Sequence, residues 1–156
     1  AGADINAKNE YGETALVRSV RSLVKNHSMI KLLLNNNANP DLVDNRNKNA
    51  LAHAIERKDT AVIQILLEEG ADPLVELSNG NNPLLIAIQM RRIDERYREK
   101  IVLNLLKKIE YMDDSNIYKI REASLDLPNE KFSSFISAFC DTIEKTTKGN
   151  KTIFSH

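Results

Sequence analysis

A three-residue turn recurs along this chain at nearly constant spacing, and no other feature narrows the possible folds as much. Gly2-Ala3-Asp4, Asn37-Ala38-Asn39 and Gly70-Ala71-Asp72 lie 35 and then 33 residues apart. Thr14-Ala15-Leu16, Asn49-Ala50-Leu51 and Asn82-Pro83-Leu84 keep the same two intervals. Leu33-Leu34, Leu66-Leu67 and Leu105-Leu106 follow in phase, the last interval lengthened by an insertion. Units of this length cannot bury an apolar face alone, so they must stack on one another.

The stretch from Asn47 to Pro73 shows what one unit is. Leu51, Ala54 and Ile55 make the apolar face of a first short helix, and Val62, Ile63, Leu66 and Leu67 make the stripe of a second, antiparallel one. Asp59 stands where it can cap the second helix, and Gly70 follows the stripe where a helix ends in the left-handed region. The first unit places its helices over 14–22 and 28–36, with Ser28 expected as N-cap of the second. Two extra residues near Leu23–Asn26 lengthen a surface loop at little cost.

A period near 33 with Gly-Ala-Asp, Thr-Pro-Leu and Leu-Leu in this phase resembles the ankyrin repeat, over roughly residues 1–108. The resemblance implies an all-α solenoid of stacked helix-turn-helix units with short projecting β-turns: the end of one repeat over 1–8, then repeats over about 9–43, 44–76 and 77–108. Turns are expected at 4–12, 42–47 and 75–80. The family's His after Thr-Pro-Leu is Val17, Ala52 and Leu85 here, and His53 comes one position late, which puts the usual hydrogen bond from that side chain to the neighbouring turn in doubt. The turn glycine is kept at Gly12 and Gly80 and is Asn47 in the middle, the next residue to tolerate positive φ. Such an array is expected to stack less stably than a consensus one.

Between the third pair of helices lies an insertion, Arg91–Lys100, in which Arg91 with Glu95 and Asp94 with Arg98 stand at i, i+4 spacing. A solvated helical extension is the plainer reading, a partner-binding arm the other. After Lys108 the repeat signal ends. Ser115 is expected to cap a helix carrying Ile117 and Ile120, with Leu125 as a further candidate, Leu127-Pro128-Asn129 to break it, and Phe132, Phe135, Ile136, Phe139, Cys140 and Ile143 to form one face of a helix of about four turns. This pair, 109–146, is read as a divergent cap closing the array, its phenylalanines more in keeping with packing than with a free docking face, and 147–156 as a frayed polar tail.

Composition sets outer limits. The 22 basic and 22 acidic residues cancel, which argues against duplex nucleic acid or an anionic membrane as the main partner. The single cysteine, Cys140, allows no internal disulfide and fits a reducing compartment. No apolar run approaches the ~18 residues of a membrane span, so a soluble chain is expected. The opening AGADINAK reads as the end of a repeat whose helices lie upstream, so the chain is expected to be a fragment, with any targeting segment outside it.

Nothing here reads as catalytic. His27, His53 and His156 have no second ligand at metal spacing, Cys140 lies on an apolar stripe where an inert thiol is expected, and no phosphate loop or hydrolase motif occurs. Neither an enzyme activity, a cofactor nor a metal is expected. The resemblance instead implies a concave groove, lined by turn tips and inner helices, that holds another protein. The matching positions include Tyr11, Glu13 and Arg21 from repeat one, Asn45, Arg46, Glu56 and Arg57 from repeat two, and Asn79, Gln89 and Met90 from repeat three. Tyr11, Arg46, Arg57 and Met90 are the types most enriched at contact surfaces.

Three functions stay open at this point. The first is a protein-binding module, monomeric and cytoplasmic, in the host cytosol if it is an effector. The second is an adaptor for ubiquitin transfer, on a faint likeness of Leu125–Asn129 with Phe132 and Phe135 to the Leu-Pro element of SOCS-box and F-box tails. The third is the substrate-selecting part of an enzyme encoded outside the fragment. The abundance of Asn and Ile is compatible with an A/T-rich source such as an intracellular bacterium or large virus, where ankyrin arrays occur in host-directed proteins; that is analogy at the level of the fold.

Overall fold

The computed structural model describes residues 2–153, with side chains described as far as Gly149. Eight helices follow one another: α1 Ala15–Arg21, α2 His27–Asn35, α3 Ala50–Glu56, α4 Thr60–Glu68, α5 Pro83–Gln89, α6 Glu95–Leu106, α7 Asp114–Leu125 and α8 Glu130–Ile153. No strand occurs among the described residues. Helices α1, α3, α5 and α7 pack side by side as an inner layer, and α2, α4, α6 and α8 each lie against the inner helix that precedes them. The fold is therefore a helical solenoid of hairpins, and the segment after Lys108 forms a fourth hairpin stacked on the third.

Each helix starts at a side chain that accepts from a backbone N–H two or three residues on. Thr14, Asn49, Asn82 and Asp113 do this for the inner helices at 2.7–3.2 Å, and Asn26, Asp59, Asp94 and Asn129 for the outer ones. A cap of this kind is worth about 1 kcal/mol, so eight of them fix the boundaries of the helices, of which α1 to α7 are too short to stand alone. Two of these caps differ from expectation. Asn26 rather than Ser28 starts α2, and Asp113 rather than Ser115 starts α7. In both, an Asn or Asp two residues upstream of a Ser presents the same chemistry and takes the position.

One apolar cluster runs the length of the molecule, from Leu16 in α1 to Ile143 in α8. Its members include Leu51, Ile55, Ile63, Leu66, Leu84, Ile88, Ile101 and Leu105, all essentially inaccessible, each contributing about 1.5–3 kcal/mol by leaving water. The burial is supplied by neighbouring units. Met29 in the first unit is 40% exposed, whereas Val62 at the matching position of the second is 3% exposed.

Beyond the third repeat the structure departs from expectation in two places. The insertion is divided between a loop, with Arg92 at φ 59°, and an outer helix of 12 residues where α2 and α4 have nine. Arg91 lies outside that helix and forms no pair with Glu95; Asp94 caps it; Arg98 donates to the Met90 carbonyl at 2.6 Å instead of pairing with Asp94. At the C-terminal end α8 spans 24 residues, nearly seven turns, so the stretch expected to fray from Thr146 continues the helix to Ile153. Thr147 is buried one turn beyond Ile143, extending the packed face. Phe132 is buried and Phe135 stacks on it at 6.2 Å while remaining half exposed. The last residues, 154–156, and with them His156, lie outside the described part.

Candidate partner-binding face

Three turns project from the inner layer, and one backbone scheme builds all of them. The N–H of Gly12, Asn47 and Gly80 donates to the carbonyl of Asn9, Asp44 and Leu77 respectively, at 2.9–3.0 Å. The N–H of the same three first residues returns to Glu13, Lys48 and Asn81 at 2.8–3.0 Å. Gly12, Asn47 and Gly80 all have φ of 60–73°, so the fourth residue of each turn sits in the left-handed region. This lifts Tyr11, Arg46 and Asn79 to the tips.

The side chain of the first turn residue differs in every repeat. Asn9 Oδ1 accepts from the N–H of Tyr11 and Glu13 at 3.0 and 2.9 Å. Asp44 Oδ1 accepts from Arg46 and Lys48 in the same way at 2.8 and 3.1 Å, and its Oδ2 meets His53 Nε2 at 2.7 Å inside the protein. The displaced histidine thus bonds to a turn, though not by the family's usual bond to the neighbouring one. The bond runs from the second turn of α3 to the turn of its own repeat. Burial, opposed by the bond to Asp44, holds the His53 imidazole below its ordinary value. Burial would raise Asp44, but the bonds from His53 and two backbone N–H groups outweigh it and hold the carboxyl low. A neutral ring donating from Nε2 to a carboxylate satisfies both shifts. In repeat three the matching residues are Leu77, almost wholly buried, and Ile86.

Adjacent turns are bonded to each other. Asn45 donates from its N–H to the Tyr11 carbonyl and from Nδ2 to the Glu10 carbonyl, both at 3.0 Å, and Lys8 Nζ donates to the Val43 carbonyl at 2.7 Å. Asn45 approaches so closely that a Cβ on Gly12 would lie 2.4 Å from its Oδ1 and 2.8 Å from its backbone nitrogen. On the helices, Arg57 Nη2 donates to the Ser22 carbonyl at 3.2 Å.

The expected contact residues divide by environment. Tyr11 is 60% exposed, and Arg46, Arg57, Asn79 and Gln89 are also exposed. Glu13 is buried beneath them, paired with the half-buried Arg21, and so acts by fixing Arg21. Glu56 is exposed and accepts from Lys48 Nζ at 2.8 Å. Asn45 is exposed, with its amide engaged between the turns; Met90 is half-buried at the end of α5.

Sequence reasoning missed part of this face. Arg18 is exposed beside Arg21 and Arg46, and the three line a depression of 410 Å³ with Tyr11, Glu13 and Ser22. The fourth inner helix adds Tyr118 at 66% exposure, Glu122, and Leu125 at 71%. Their i, i+4, i+7 spacing was the available signal, obscured because α7 was read as a cap and not as an inner helix. They line a second depression of 660 Å³ with Asn79 and Gln89. A third, of 640 Å³, lies between Gln89, Met90, Arg91 and Arg98 and the α7–α8 loop. Leu127 and Phe132, part of the Leu-Pro element read as a ligase tail, are buried.

Among the described residues no cluster of His, Cys, Asp and Glu has the arrangement of a metal site, and no helix is long and apolar enough to cross a membrane. Cys140 is inaccessible and burial pushes its thiol up, away from the reactive thiolate.

Residues 1–77 and 23–116 match the family described as ankyrin repeats in three copies. A probable serine/threonine-protein kinase of Dictyostelium discoideum is 42% identical over 74 residues, 47% of this chain and 9% of that protein. Two putative ankyrin repeat proteins of Acanthamoeba polyphaga mimivirus, L92 and R664, are 36% identical over 51% of this chain and 34% identical over 59% of it. Those matches span 19% and 52% of the viral proteins, so the chain corresponds to about half or less of each of these relatives. Period, turn geometry, hairpin stacking and the family match agree: this chain belongs to the ankyrin-repeat family, a non-catalytic interaction fold.

Proposed function

We propose that this chain is a protein-binding module, monomeric, that holds a segment of another polypeptide along the face made by the three turn tips and helices α1, α3, α5 and α7. The family's general role in protein–protein interaction supports this. The observation that carries it is the composition of the face: Tyr11, Arg46, Arg57, Gln89, Tyr118 and Leu125 stand exposed on a rigid scaffold, around depressions of 410 and 660 Å³. Exposed aromatic and arginine side chains on fixed backbone are the types that dominate binding energy at interfaces.

The relatives, in which the matched stretch is a fraction of a longer protein, support reading the array as the recognition part of a larger protein. The viral relatives favour a host-directed role, acting in a cytoplasm. Replacing Tyr11, Arg46 and Arg57 together by Ala is expected to reduce capture of the native partner by about a hundredfold, with the thermal melt nearly unchanged. Undiminished capture would place the binding surface elsewhere.

A further inference from the structure

The partner-binding face is electrically lopsided. Arg18, Arg21 and Arg46 surround the 410 Å³ depression, and Arg57 reaches its edge through the bond to the Ser22 carbonyl. Within the lining itself three guanidinium groups stand against one carboxylate, Glu13, a net charge of +2. Glu13 is buried and committed to Arg21, and Glu56 is committed to Lys48. The side chains of Arg18 and Arg46 have no partner among the described residues, and both are exposed. Glu10 is the remaining exposed acid at that tip.

The opposite end of the same face is mixed in charge. Glu122 and Asp126 line the 660 Å³ depression with Tyr118 and Leu125, and the cation there, Lys119, is turned to the Gly80 carbonyl at 3.1 Å. Asp126 also lines the adjoining 640 Å³ depression with Arg91, Arg92 and Arg98, so charges of both signs meet at this end, whereas the end around Arg18, Arg21 and Arg46 is cationic. Guanidinium forks favour carboxylates bidentately, so the cationic end is the one suited to an acidic segment.

Resting on the assignment of this face as the binding surface, we propose that its partner segment is rich in Asp and Glu, laid with its acidic residues on Arg18, Arg46 and Arg57 and its remainder running toward Tyr118 and Leu125. Single-stranded nucleic acid, the other polyanion suited to guanidinium groups, carries charge along its whole length and meets Glu122 and Asp126 at the far end.

A randomised peptide library selected against the intact chain tests this, with the recovered peptides measured by fluorescence anisotropy. Recovered sequences are expected to carry clusters of Asp and Glu. Their affinity is expected to fall about tenfold in R18E/R46E/R57E and to weaken with added salt, while a single-stranded oligonucleotide does not displace them. Because Arg57 also bonds to Ser22, R18E/R46E serves as a second variant, expected to keep the parent melting temperature and still lose affinity. Recovered peptides without acidic clusters that lose binding in Y11A or Y118A/L125A would overturn the acidic specificity and leave the face standing. Acidic peptides indifferent to both arginine variants, or displaced by the oligonucleotide, would overturn it as well. If no peptide is recovered, or if binding survives every one of these variants, both the specificity and the face are lost.

Discussion

Repeats two and three share one backbone and hold it by opposite chemistry. Asp44 and Leu77 occupy the same place, with the same carbonyl accepting from the left-handed residue three positions on. Asp44 fastens two backbone N–H groups and a buried imidazole, whereas Leu77 fills the equivalent place with hydrocarbon. The turn itself is therefore fixed by backbone bonds and positive φ, and the first side chain is free to be ionic or apolar. What the ionic version adds is a dependence on its partner. Removing one half of a buried pair strands the other, while removing an aliphatic side chain leaves a void.

The largest test of that contrast is Asp44→Ala, expected to cost about 3–5 kcal/mol by leaving His53 and two turn N–H groups unsatisfied. Asp44→Asn keeps the acceptor that Asn9 uses in repeat one and is expected to cost about 1–2 kcal/mol, while Leu77→Ala should cost about 3 kcal/mol. Urea denaturation measures all three, and an Asp44→Ala cost equal to that of Asp44→Asn would show that the turn bonds, which Asn keeps, add nothing to the turn. Next come the glycines. Gly12→Ala is expected to cost about 2–3 kcal/mol, because strain at φ 71° adds to the collision with Asn45. Gly80→Ala, at φ 73° with open space around it, is expected to cost about 1 kcal/mol.

Acidification separates the two repeats further. Both His53 and Asp44 have depressed values, so in each case the unfolded chain takes up the proton first. Stability is then full above the unfolded values, falls from about pH 6.5 downward as the unfolded His53 protonates, and falls again near pH 4 through Asp44. H53I/D44L, which imitates repeat three, should flatten the upper of these windows in urea titrations across pH; an unchanged slope would remove His53 from the account. The smallest effect is at Lys58, which ends α3 with φ 57°. Lys58→Gly is expected to stabilise by about 0.5 kcal/mol, the relief of left-handed strain slightly exceeding the entropy of glycine, visible as a small rise in Tm.

How much of this could be read from the residues follows the same division. The hairpins, their turns and the cap at Asp59 were legible, because period and capping chemistry act within a few residues. The fourth hairpin was legible as helices but not as a continuation of the inner face, since its turn lacks the Gly-Ala-Asp sequence that marks the others. The length of α8 was hidden because Thr147 continues the buried face with a polar residue type. The Asp44–His53 pair was missed for a different reason. The acid lies nine residues before His53, across the turn and outside the range of any i, i+3 or i, i+4 rule. Among candidate contacts, Tyr11, Arg46 and Arg57 stand exposed as their residue types suggest, but no local rule distinguishes Glu13, buried under Arg21, from an exposed glutamate.

The bonds that join neighbouring units have one further consequence. Lys8 to Val43, Asn45 to Glu10, Arg57 to Ser22, Lys58 to Arg92, Asn82 to Asn116 and Lys119 to Gly80 all span 34–39 residues, one unit and no more. No step of assembly has to close a loop longer than a single hairpin's worth of chain, so the second and third units, each clasped on both sides, are the natural nucleus and the ends are last to join. Amide exchange should accordingly be slowest from α3 to α6 and quicken outward in both directions, the opening of one end leaving the rest intact.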